Sequence, residues 1–429
     1  MSRRLSLPYH TGRLDLEVPD DKLLGYFEPT RLAPLADVSG SLERSLRQPL
    51  GAAPLRQLAA GKRSVAIVID DATRAVPNAL LLDATMSELR AAGIDPGQVI
   101  VLVATGLHRK LTEDELRDAL GPWHGLVRVE NHDADDENLL VSVGTTSLGT
   151  RLRVNRLFVE AELRILTGDV EHHQFCGYGG GAKSILPGLA DRESIRLNHS
   201  RMDWPGAGPG RIDGNPVRRE IDEAAEMAPV HFLLAVVLDP EHRVVSVHAG
   251  DLRQAFRSAC LDVDRMYRVR LPGRADLVVA SPGGHPKDAS FYQSQKALEA
   301  AIRAVRPGGD VALAAACPEG SGSALFEQWM EEAHTPQDVV ERIKRDFVMG
   351  GHKAYQVARG LKQARVHLYS MLSPGKVRCW FMHPLSDWSQ VARLVEQAGK
   401  ISVLPHASMT LTDAGEDESG HGQGFPHPC

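Results

Sequence analysis

The chain predicts an α/β protein of two domains, each built on a mainly parallel sheet with an active-site cleft between them, and three observations carry that prediction. Its 429 residues exceed what one ordinary core encloses. Short apolar runs alternate with amphipathic stretches of helical period, the pattern of parallel strands joined by crossover helices. The alternation breaks at Leu271-Pro272-Gly273 and then restarts, which sets a boundary there.

In the first domain, 1–270, Ser64 to Ile69 reads as a strand ending at Asp70-Asp71, followed by a helix from Asn78 to Ala92 that stops at Gly93. Gln98 to Ala104 repeats the pattern before a helix from Thr112 to Leu120, which Thr112 can cap against Glu115. Leu163 to Thr167 and His231 to Asp239 are further strands, and a helix from Asp251 to Tyr267 closes the domain. The second and smaller domain, 271–412, offers strands at Asp276 to Ala280, Asp310 to Ala316 and Arg365 to Ser370. Helices are predicted at Phe291 to Val305, Ser323 to Ala333, Pro336 to Phe347 and Asp387 to Ala398. Residues 413–429 carry few apolar side chains and are predicted to be a disordered tail.

Composition narrows the class of partner. A net charge of −6, with no Lys/Arg cluster standing apart from acids, gives nucleic acid nothing to bind and points to a small molecule. The apolar runs fall short of a bilayer span and Met1 to Pro8 lacks the apolar segment of a signal peptide, so no membrane association and a cytoplasmic location are expected. Five scattered cysteines without a C-x-x-C pair argue against a disulfide framework or a zinc or iron–sulfur site. Cys176 reads as a small buried hydrophobe.

Chemistry concentrates between residues 171 and 199. Gly177, Gly179, Gly180 and Gly181 lack Cβ atoms, so main-chain N–H groups there can approach an anion closely, and Lys183 supplies the cation or nucleophile. Ligands of open parallel sheets bind beyond the carboxyl ends of strands. Asp71 and Arg74 follow the first strand, His108 the second and His173 the third, so strand direction gathers all four at one edge. Two imidazoles suit reversible proton transfer, and Arg74 offers a planar fork for a carboxylate. Asp71 can orient that fork, pair with it at the helix entry, or orient a histidine. In the second domain Gln293 and Lys296 share a helix face at i, i+3, next to Tyr292.

Gly177 to Ser184 also approaches the P-loop pattern, which leaves a nucleotide-binding enzyme as an alternative. Ala182 replaces the last glycine, the preceding strand is distant, and Pro187 falls where the phosphate-binding helix needs its first interior turns. A two-domain organic-anion-binding protein without catalysis is the other alternative.

Taken together, Asp70-Asp71-Ala72-Thr73-Arg74, Thr105-Gly106-Leu107-His108-Arg109, Glu171-His172-His173, Gly177 to Gly188, Asn198-His199 and Tyr292-Gln293-x-x-Lys296 resemble the lactate racemase family across most of the chain. The resemblance implies an isomerase: a racemase or epimerase of a 2-hydroxy acid, working by proton-coupled hydride transfer through a 2-oxo acid. It implies a nickel-pincer nucleotide, a pyridinium mononucleotide with two sulfur donors, covalently attached at Lys183. Nickel would have His199 as its protein ligand, and the glycines near Lys183 would cradle the phosphate. By the same resemblance His108 and His173 are the acid/base pair, Arg74, Tyr292, Gln293 and Lys296 bind substrate with Asp71 in support, and cofactor-biosynthesis enzymes are maturation partners. The chain departs from the family pattern at His172, where proline usually precedes the catalytic histidine.

Overall fold

The structure, a computed structural model, describes residues 1–345, 348 and 350–414. The expected tail beyond Ala414, and the end of the helix expected to reach Phe347, lie outside the described residues. The chain opens with three strands, β1 (Ser2–Tyr9), β2 (Gly12–Pro19) and β3 (Leu23–Tyr26), and divides into two units: Arg31–Met266, and Met1–Thr30 together with the described residues from Tyr267 on.

In the Arg31–Met266 unit, β4 (Val65–Asp70), β5 (Val99–Ala104), β6 (Arg128–Asn131), β9 (Leu163–Asp169) and β12 (Phe232–Leu238) run parallel. A last strand, β13 (Val244–Gly250), closes the sheet antiparallel to β12, and the small hairpin β7 (Leu140–Thr145) and β8 (Arg151–Asn155) stands outside it. The order is β13-β12-β9-β4-β5-β6. The chain therefore builds outward from β4 in one direction and returns to its other side through β9. The crevice beyond the ends of β4 and β9 is the topological switch point, where open α/β sheets bind ligands. Every residue of β4 but the last is buried, as a strand covered on both faces requires. One face, with Val65, Ile67, Ile69, Val101 and Ile165, packs on Leu81, Leu82, Met86 and Leu89 of the Asn78–Ala91 helix. Full burial of each such side chain contributes about 1.5–3 kcal/mol. The Thr112–Glu115 capping box forms as the sequence predicts.

Beyond β9 lies a hairpin of two-residue strands, β10 (His172–His173) and β11 (Gly177–Tyr178), inside a stretch that reads from sequence as loop.

In the other unit β15 (Ala275–Ala280), β16 (Val305–Ala314), β17 (Arg365–Tyr369), β18 (His383–Leu385) and β19 (Ile401–Leu404) form a parallel sheet, and the short strand β14 (Arg268–Arg270) pairs with the last described strand, β20 (Leu411–Asp413). The sixth strand is β3, which adds to the free edge of β19 in parallel register, Ile401 opposite Leu23 and Val403 opposite Tyr26. Leu7, Leu16 and Val18 of the first hairpin join Leu277, Val279 and Val403 in one core. The grouping of 1–270 as one domain is thus corrected at its start: the first thirty residues complete the later sheet. Its other end, at Met266, falls close to the expected boundary. Among the described residues no helix is long and apolar enough to cross a membrane.

Candidate active site

The end of β4 delivers Asp70 and Asp71 to the switch point. Asp71 is buried, and its Oδ1 accepts from the Thr73 N–H at 3.0 Å and the Thr73 hydroxyl at 2.6 Å, while Oδ2 stands 2.6 Å from His108 Nδ1. Burial alone would push the Asp71 carboxyl up. The hydrogen bonds from His108 and Thr73 outweigh it and hold the group below the usual carboxylate range. An ionised Asp71 requires a proton on Nδ1 of His108, which leaves Nε2 of the neutral ring as the accepting nitrogen. Of the partners open to Asp71 in the sequence, His108 is the one it takes. Arg74 instead donates its guanidinium to Glu171, a residue of the motif to which sequence assigned no role.

The turn that carries His108 rests on the lysine loop. Gly106 N–H donates to the Gly188 carbonyl at 3.0 Å, and Gly188 N–H to the Lys183 carbonyl at 3.1 Å. The φ of Gly180 is +77°, and a Cβ there would collide with the Asp169 carbonyl, so the loop lies directly on the end of β9. Gly181 approaches Phe256, where a Cβ would come within 2.8 Å of the ring. The reading of all four glycines as anion-facing donors is corrected at Gly179, whose N–H donates to the Glu171 carbonyl at 2.8 Å. After Gly180 the chain makes one short 3-10 turn, Gly181–Ser184, and the next helix starts only at Arg192. No helix N-terminus follows Lys183-Ser184, so the P-loop alternative loses the element that would receive a phosphate.

Lys183 is half-buried. Burial, then the Arg74 charge, lowers its pKa to about 8, against the opposing pull of Asp70 and Asp169. These two acids, which sequence reasoning passed over, are themselves raised. Burial and then repulsion from Asp169 push Asp70 up to about 7, and burial raises Asp169. Only glycine at 168 admits the Asp70 carboxylate, which occupies the space of a Cβ there.

His173 pairs with Gly177 across the small hairpin, with the Cys176 N–H 3.5 Å from its Nδ1. Phe175 packs T-shaped against both His173 and His199, with ring centroids 4.6 Å and 5.1 Å away. His199 closes the Arg192–Ser200 helix, whose end is anchored by buried Glu220. That carboxylate accepts from Asn198 Nδ2 at 3.0 Å and Arg201 Nη1 at 2.7 Å. Cys176 is fully buried, and burial raises its thiol. In the other unit Tyr292, Gln293 and Lys296 occupy the first turns of the Phe291–Ala304 helix, Gln293 and Lys296 exposed and Tyr292 half-buried. Lys353, absent from the sequence reading, lies 5.8 Å from the Tyr292 ring, and burial followed by the Lys296 charge lowers it to about 7.

Comparison with known proteins agrees along most of the chain. The lactate racemase N-terminal domain family matches residues 9–208 and the lactate racemase C-terminal domain family residues 272–366. A lactate racemase of Thermoanaerobacterium thermosaccharolyticum is 32% identical, over 94% of this chain and 97% of that protein. One from Lactiplantibacillus plantarum is 29% identical, over 79% of this chain and 80% of that protein. The structure of the T. thermosaccharolyticum lactate racemase apoprotein superposes with a TM-score of 0.85 at 31% identity, covering 96% of this chain and all (100%) of that one. A Thermotoga maritima protein shares the fold at a TM-score of 0.62 and 18% identity, covering 90% of this chain and 100% of that one.

Proposed function

The chain belongs to the lactate racemase family, and from that premise we infer that it is an isomerase inverting the hydroxyl-bearing carbon of a small 2-hydroxy carboxylic acid. The observation that carries the reading is the His108 imidazole held at 2.6 Å by buried Asp71, next to the loop of the depressed Lys183.

The residues fit a nickel-pincer nucleotide. A lysine lowered to about 8 is in part a neutral amine near neutral pH, as a covalent attachment point must be. Among the described residues no three His, Cys, Asp or Glu side chains gather into a metal site. By the family resemblance His199 would hold nickel as one ligand of a group that brings its own donors, which needs no such cluster. Gly177, Gly180 and Gly181 would shape the seat of the phosphate, with Gly179 as spacer. When bound, the group supplies a reversible hydride acceptor.

The chain's own residues do the rest. Taking a proton from Cα of a 2-hydroxy carboxylate would make a dianion, whereas losing the hydroxyl proton as the Cα hydrogen departs with its electron pair leaves a neutral ketone beside the carboxylate. His108 Nε2, freed by the Asp71 bond on the other nitrogen, takes the hydroxyl proton from one enantiomer, and His173 does so from the other. In each turnover the second histidine, entering protonated, gives its proton to the oxygen of the inverted product, and exchange with solvent then restores the two protonation states. Arg74 holds the substrate carboxylate, Glu171 keeps its fork oriented until substrate enters, and a substrate-binding role for Tyr292, Gln293 and Lys296 rests on the family pattern alone. Enzymes of cofactor assembly are the expected maturation partners. A cytoplasmic site of action is supported by the free thiols of Cys176, Cys260, Cys317 and Cys379.

Protein produced with the cofactor-assembly enzymes tests this in two measurements. Chiral chromatography against lactate, malate, 2-hydroxyglutarate, an aromatic lactate and a sugar acid is expected to show interconversion of one or more, and peptide mass spectrometry an adduct on Lys183. Unmodified Lys183 in active protein overturns the cofactor assignment. No turnover of any acid by nickel-loaded protein, with Lys183 at its sequence mass, favours the binding-protein reading.

A further inference from the structure

We propose that Asp264, His172 and Tyr178 are positioning residues for His173. The proposal rests on the acid/base assignment of His173 made above. The hairpin bearing His173 has two residue pairs, His172 with Tyr178 and His173 with Gly177. A ribbon this short has no stability of its own, so what orients it must come from outside.

Main-chain bonds from the Gly210 N–H to the Gly177 carbonyl at 2.9 Å and from the Gly208 N–H to the Phe175 carbonyl at 3.0 Å hold the hairpin's return strand and loop, and one carboxylate oxygen joins its two strands. Asp264 Oδ1 stands 2.9 Å from His172 Nε2 and accepts the Tyr178 hydroxyl at 2.7 Å. Its two partners face each other across the hairpin, with ring centroids 5.2 Å apart. One oxygen binding both strands fixes their separation and their twist, a directional constraint that apolar packing would not supply. Successive strand residues point to opposite faces. Anchoring His172 on one face therefore sets the direction of His173 on the other, where the contact to the Cys176 N–H is long, at 3.5 Å.

The Leu252–Tyr267 helix extends this support to the lysine loop. Phe256, two helical turns before Asp264 and hence on the same side, packs its ring against Tyr178 at 6.3 Å and lies against Gly181. The hairpin of His173 and the turn of Lys183 are thus referenced to one rigid element. Neither His172 nor Asp264 has a part in the proton transfers described above, and no sequence motif joins them.

The test uses the full-length protein with ¹⁵N-labelled histidine. Asp264→Leu is expected to lower kcat on the order of 10²-fold, the effect of misplacing a reacting group by about an ångström, with KM changed by less than about threefold. In cofactor-free protein the His173 ring signals should shift or split while those of His108, held by Asp71, stay in place. Asp264→Asn keeps an accepting oxygen for both donors and should recover kcat to within about tenfold of wild type. Tyr178→Phe, which removes one donor and keeps the ring, serves if Asp264→Leu does not fold and should displace the same His173 signals. Unmoved His173 signals, or a kcat within about threefold of wild type in Asp264→Leu, overturn the proposal. So does movement of His108 together with His173, which marks general loosening. Absence of racemase activity in loaded wild-type protein would instead refute the functional reading, and the cofactor-free spectra would still decide the positioning role.

Discussion

Replacing Asp71 by Asn isolates what the buried carboxylate does for His108. Asp71 Oδ1 is committed to the Thr73 N–H and hydroxyl at 3.0 and 2.6 Å, so an amide there keeps its oxygen on Thr73 and turns its NH₂ toward His108 Nδ1. Nδ1 then becomes the acceptor, and the proton moves to Nε2, the nitrogen proposed to accept the substrate proton. A hydrogen bond to a charged group contributes about 1.5–3 kcal/mol, which at about 1.4 kcal/mol per tenfold is a factor of roughly 10–150. The wrong tautomer adds to this, so the expected fall in kcat is about 10²-fold or more. Asp71 is only 5% exposed, so KM should stay within about threefold of wild type. Enantiomers have equal free energies, so for a racemised substrate kcat/KM must fall by the same factor from either one. Initial rates by chiral chromatography on protein of verified Lys183 adduct and nickel content measure both. A kcat within about threefold of wild type would refute the dyad argument. The same variant carries a stability signature. The folded pKa of Asp71 is depressed, so its contribution is present above the unfolded carboxylate value and lost as pH falls through the folded one. Asp71→Asn should be destabilised near neutrality yet show a shallower loss of stability on acidification.

Lys183 in cofactor-free protein should react with an amine-specific reagent with a midpoint near pH 8, as its lowered pKa requires, while exposed lysines follow a midpoint about two units higher, and peptide mass spectrometry across pH reads both. Arg74→Met should move the midpoint upward, because the Arg74 charge is among the causes that lower it. A group whose folded pKa is lowered to about 8 stays neutral at higher pH while the unfolded chain still binds its proton, so this lysine makes stability rise with pH from there to its unfolded value. Gly180→Ala should cost about 2 kcal/mol or more, roughly 4–8 °C in Tm, and abolish the adduct, since φ is +77° and the Cβ collides with the Asp169 carbonyl; an unchanged melting curve would contradict the close approach. His199→Ala should lose nickel on dialysis, measured by elemental analysis, and keep the mass of the Lys183 adduct.

Four strands and their parallel sheet were legible in the sequence because β4, β5, β9 and β12 are buried on both faces and so carry continuous apolar runs. The polar residues that end those runs follow from the same logic, which is why Asp71 and His108 could be expected at one edge before any distance between them was known. The first thirty residues were opaque for the opposite reason. β3 is four half-buried residues long and gains its hydrogen bonds from β19, nearly four hundred residues away, so nothing local marks its sheet. Asp264 was hidden too. Its partners lie 92 and 86 residues distant, and a lone acid near the end of a helix has no spacing to read.

The acids Asp70 and Asp169 show a deeper gap between motif and chemistry. Formal charges would put two carboxylates beside the Lys183 ammonium and the Arg74 guanidinium, with which Glu171 also pairs. Burial shifts these protonation states, because it penalises every charged form. A guanidinium does not give up its proton in proteins, so the adjustable groups are the lysine and the acids. The lysine is lowered to about 8 while Asp70 is raised to about 7 and Asp169 is raised too, which narrows the gap in proton affinity between the amine and the acids. Spacing in the sequence identifies the lysine; only the parallel registry that sets the end of β4 beside the end of β9 reveals how its amine can be neutral, as the covalent attachment proposed above requires.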